Sequence, residues 1–74
     1  MNENVSHGTP EALREFIAEN LALAEMQAQL GGTYAALGDD VGLEYALRKL
    51  VAYVKAAVPT LADLKNLKSK GVQS

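Results

Sequence analysis

The stretch Leu30-Gly31-Gly32-Thr33-Tyr34-Ala35-Ala36-Leu37-Gly38-Asp39-Asp40 decides how this chain folds. A helix arriving from the N-terminal side either stops at Gly31-Gly32 or runs on to Gly38. Each glycine costs about 1 kcal/mol relative to Ala inside a helix. Yet Phe16, Leu23, Leu30 and Leu37 recur seven apart, so the apolar period crosses the pair unbroken. A continuous or gently kinked helix to about residue 37 is therefore expected, with the two small residues letting a second backbone approach. A short separate helix after a break is the alternative. Gly38 suits the left-handed position just past a helix end, and Asp39 or Asp40 suits the cap of the helix that follows.

Upstream, Thr9-Pro10-Glu11 carries start signals: a hydroxyl for free amides, a proline fitted to the first helical position, and a carboxylate at the positive helix end. Leu13, Phe16, Ile17, Leu21, Leu23, Ala24, Ala28 and Leu30 follow at helical spacing. Downstream, Leu43, Ala46, Leu47, Leu50, Val51, Val54, Ala57 and Val58 mark one face of a second helix, expected to end before Pro59. Glu44 and Arg48 form a favourably oriented i,i+4 pair. Thr60 with Asp63 resembles a capping box for a short third helix edged by Leu61, Leu64 and Leu67, with Gly71 as its stop. Residues 1–8 and 71–74 read as tails around a single helical domain over 9–70.

The stretch Leu30 to Asp39 resembles the end of the first helix and the turn of a tetratricopeptide repeat, through its Leu-Gly-x-x-Tyr and Leu-Gly-Asp pattern. The resemblance covers ten residues. Leu43 departs from it, standing where the repeat usually has Ala, and Pro59 comes several residues late. What it implies is a helical-hairpin turn.

The fold class expected is thus all-α: a helical hairpin with a long first helix, a second helix and a short third, completed as a bundle by self-association. Size points the same way. A folded 7.9 kDa chain buries only about 60% of the surface its unfolded form exposes, which is marginal. With no cysteine there is no disulfide staple, no thiolate zinc site and no cysteine nucleophile. Projected at 100° per residue, the large apolar side chains of the first helix span an arc of roughly 220°, about twice the usual core-facing stripe. The second helix spans about 160° and the third is too small to cover the remainder. Each Leu or Met left wet forfeits roughly 1.5–3 kcal/mol. Another chain packed on the first helix is the economical resolution.

With Phe16, Leu23, Leu30 and Leu37 at heptad position d, position a holds Leu13, Asn20, Gln27 and Tyr34. Polar residues at a can specify register in a self-associating seam. Alternatively, Asn20 and Gln27 lie at a solvated edge of an ordinary bundle helix. The contact residues expected are Phe16, Leu23, Met26, Gln27 and Leu30, with Tyr45 as an outer candidate near Lys49 and Ala52.

Reactive chemistry is sparse. His7 is the only histidine and lies in the N-terminal tail, with no carboxylate tied to it. No Glu-x-x-His unit is present, so no metal or other cofactor is expected. Gly31-Gly32 lacks the Lys and spacing of a phosphate loop. Glu11, Glu15 and Glu19 form an acidic ridge, read first as a solvated face and second as a contact strip. Paired carboxylates need a cleft for acid–base work, and two or three short helices rarely enclose one. The chain is read as no enzyme.

Residues 1–37 carry five acids and one base, and residues 38–74 four acids and six bases. Mutual pairing of an acidic and a basic helix follows, within or between chains. The alternative, a nucleic-acid contact through Arg48, Lys49, Lys55, Lys65, Lys68 and Lys70, is opposed by an isoelectric point near 5.2. No apolar run approaches 18 residues and the N-terminus lacks signal-peptide features, so the cytoplasm is the expected compartment. Asn4-Val5-Ser6 is read as a chance glycosylation sequon, and Asn2 excludes myristoylation. The function these readings favour is a small non-catalytic protein–protein interaction module, self-associating as a homodimer and acting as a regulator, adaptor or inhibitor of a partner protein.

Overall fold

The structure, a computed structural model, describes residues 8–69. The expected tails, His7, the Asn4 sequon, Lys70 and the Gly71 stop lie outside the described residues, apart from exposed Gly8. Two helices make the fold: α1, Pro10–Leu37, and α2, Asp40–Ser69. They pack antiparallel as one layer, with principal extents of 50 × 26 × 13 Å.

The start of α1 follows from its first residues. The Thr9 side chain accepts a hydrogen bond from the Ala12 amide at 3.0 Å, Pro10 opens the helix and Glu11 faces its positive end. The helix runs through Gly31-Gly32 without a break. Gly38 ends it at φ 74°, where an L side chain is strained, and the Gly38 and Asp39 amides close back on the carbonyls of Ala35 and Tyr34. Asp39 then caps α2, its carboxylate accepting from the Gly42 amide at 3.0 Å. The Glu44–Arg48 pair forms at 2.7 Å, both ends solvated, and is the one ion pair among the described residues. Pairing across the two helices, expected from their opposite charges, is not made among the described residues.

The third helix is the main correction. Pro59 does not end α2; the helix continues through it to Ser69. Thr60, read as a cap, instead donates its hydroxyl to the Ala56 carbonyl at 3.0 Å, an i−4 bond inside a continuing helix. Proline leaves the Lys55 carbonyl without its usual helical donor. Pro59 itself is exposed, where the proline ring and that carbonyl meet no packed neighbour helix. Leu64, expected on a separate short helix, is buried at the far end of the same hairpin.

The buried residues of the seam are small or polar, apart from Leu64. On α1 the buried side chains are Asn20, Ala24 and Gly31; on α2 they are Ala46, Ala57, Thr60 and Leu64. Leu13, Ile17, Gln27 and Tyr34 extend the first set half-buried, and Leu43, Leu50, Tyr53 and Leu67 extend the second. Both sets advance by alternating steps of three and four, the knobs-into-holes period. A Cβ at Gly31 would lie 3.6 Å from Ala46 Cβ, so the helices touch closely there. Gly32 has nothing within 4 Å and takes no part in packing. With equal rise on both helices, counting from the Gly31–Ala46 contact sets Ala24 level with Tyr53, Asn20 with Ala57, and Leu13 with Leu64. Asn20 therefore lies in the intrachain seam, neither across from a second copy nor at a solvated edge. It is 8% exposed, and its amide donates to the Phe16 carbonyl at 2.9 Å.

Candidate interaction surface

Because small residues occupy the seam, most large apolar side chains are left outside it. No large side chain is fully buried among the described residues. On α1, Phe16, Leu23, Met26 and Leu30 each immediately precede a seam residue and stay 40–56% exposed. On α2, Leu47, Val51, Val54, Val58 and Leu61 each immediately follow one and stay 41–61% exposed. One residue back or forward turns a helix by about 100°. In an antiparallel pair, the two helices turn in opposite senses when viewed from one end. A step back on α1 and a step forward on α2 therefore lead to opposite faces of the layer.

The hairpin thus presents two apolar surfaces back to back. The α1 face carries Phe16, Leu23, Met26 and Leu30. Beside them, from α2, lie Tyr45, Lys49, Ala52 and Ala56, which precede seam residues of their own helix. Lys49 Nζ stands 5.7 Å from the Tyr45 ring centroid and 5.9 Å from that of Tyr53, a cation held between two aromatic rings. The α2 face carries Leu47, Val51, Val54, Val58 and Leu61, with Leu21, Ala28 and Ala35 of α1 beside them.

Five of the six contact residues expected from the sequence, Phe16, Leu23, Met26, Leu30 and Tyr45, share the α1 face. Gln27 does not; it is half-buried in the intrachain seam, level with Leu50. The α2 face was missed. Sequence reading merged Leu47, Val51, Val54 and Val58 with Leu43, Ala46, Leu50 and Ala57 as one core-facing arc. Two interleaved heptad sets were the available signal, the inner one rich in alanine.

Among the described residues the surface offers open grooves. A groove of about 540 Å³ near the turn is lined by Asp40, Leu43, Glu44, Leu47, Arg48 and Val51. A smaller one, about 330 Å³, is lined by Met26, Gln29, Leu30 and Thr33. Glu11, Glu15 and Glu19 are exposed along α1. Among the described residues no group of three or more His, Cys, Asp or Glu is placed to hold a metal ion, and no helix is long and apolar enough to cross a membrane. Compared with protein-family models, curated proteins and solved structures, the chain matches none.

Proposed function

We propose that this chain is a non-catalytic protein–protein interaction module that associates with itself and, through the same kind of contact, regulates or bridges a partner protein. The observation that carries this is the apolar row Phe16, Leu23, Met26 and Leu30, half-exposed along about four turns of α1 and interrupted only by Glu19. Covering each such side chain is worth roughly 1.5–3 kcal/mol. Among the described residues the hairpin is one layer deep, and neither helix covers this row. Met26 in the row and Tyr45 beside it are of the residue types enriched where proteins meet. The proposed setting is the cytoplasm, with no cofactor.

Glutamate at both Leu23 and Leu30 tests the reading, because these positions lie outside the intrachain seam. The mass in light scattering should fall from an assembly to a single chain while helical circular dichroism is kept. A mass unchanged by Leu23→Glu with Leu30→Glu would overturn the proposal.

A second reading, nucleic-acid contact, draws on one observation: Arg48, Lys55, Lys65 and Lys68 are all exposed on α2. Arg48 is paired with Glu44, and the chain's net charge of −2 works against a polyanion. A salt-dependent mobility shift with DNA supports this reading, and no shift at low salt removes it.

A further inference from the structure

The two apolar faces point in opposite directions, so one symmetric dimer contact covers one face and leaves the other wet. We infer that a second copy of this chain fits each face head to tail: the α1 face of one copy lies on the α2 face of the next, α1 running antiparallel to the neighbour's α2. This rests on the self-association proposed above and specifies which surfaces meet.

Charge selects the pairing. Glu19 lies in the α1 row between Phe16 and Leu23, with Glu15 beside it, so two α1 rows laid parallel set carboxylates beside carboxylates. On α2, Lys55, Lys65 and Lys68 are exposed toward the C-terminal end, against the single acid Asp63. Laid antiparallel, with neighbouring copies in the same orientation and displaced sideways by one helix, the α1 glutamates come to that basic end. Laid parallel, they come instead to Asp40 and Glu44.

With the neighbour at the same height, Leu23 stands level with Val54, Met26 with Val51 and Leu30 with Leu47. Leu30 thereby reaches the 540 Å³ groove beside Leu47. A contact between two different faces is heterologous, so its repetition closes a ring or extends a filament instead of stopping at two copies.

Complementation tests this. One variant carries Leu23→Glu with Leu30→Glu, the other Val51→Glu with Val54→Glu. Each alone should be a single chain. Mixed in equal amounts they should form a one-to-one pair of twice the single-chain mass, since each keeps the face the other lacks. A second set guards against misfolding: Glu15→Lys with Glu19→Lys, and Lys55→Glu with Lys65→Glu, each weakened alone and restored by mixing. If the α2-face variant self-associates like the unaltered chain and neither mixture gains mass, the head-to-tail contact is overturned while self-association through the α1 face stands. A single-chain mass for the unaltered protein overturns both.

Discussion

The glycines separate by what surrounds them. Gly32 is exposed inside α1 with nothing near a prospective Cβ, so Gly32→Ala should gain about 1 kcal/mol of helix propensity. For a chain this small that raises the thermal midpoint by roughly 4–8 °C. Gly42 behaves in the opposite way. A Cβ there would stand 2.7 Å from Tyr34 Cδ1 and 2.8 Å from the Asp39 carboxylate that caps α2. Gly42→Ala should cost about 1–3 kcal/mol, by pushing the tyrosine out of the seam and weakening the cap. Gly38→Ala should cost about 1–2 kcal/mol for the left-handed backbone alone. Urea titration of the three variants checks the order: Gly32→Ala above the parent, the other two below it.

At the scale of the helices, α2 carries a proline where no packing demands one. Pro59 removes one backbone hydrogen bond and strains the preceding turn, yet α2 is continuous across it. Pro59→Ala should raise stability by up to about 3 kcal/mol with little change in helical content. A loss of helical signal would show instead that the proline sets a required bend. This element also marks where sequence reading reached its limit. Caps at Thr9 and Asp39 and the turn at Gly38 were legible because each rests on neighbours within four residues, and the run of α1 through two glycines because a seven-residue apolar period crosses them. The end of α2 was not. Local preference puts a boundary at Pro59, but Ala57, Thr60 and Leu64 are buried by α1, and that packing holds the helix together across the break. Contacts between distant segments are absent from any local pattern.

At the scale of the molecule, the same limit hid half of the candidate surface. The excess of apolar residues on α1 was visible as an arc too wide for one neighbour. Which part of it faces α2 was not visible, because alanine, glycine and a buried asparagine take most of the fully buried positions and leave leucines such as Leu13 only half-buried. Gly31 against Ala46 shows the reason: small residues let the backbones close up, and Phe16, Leu23 and Leu30 then stand beside the contact. On α2, the same preference for Ala46 and Ala57 leaves Leu47, Val51, Val54 and Val58 outside. A single layer with two greasy sides follows from that one packing choice.

The decisive measurement is the mass of the unaltered chain by multi-angle light scattering over a range of concentrations. Covered faces require a mass above 7.9 kDa that grows with concentration beyond two copies. A constant 7.9 kDa at every concentration, with helical structure intact, would show that the hairpin leaves both faces in water and would contradict self-association outright.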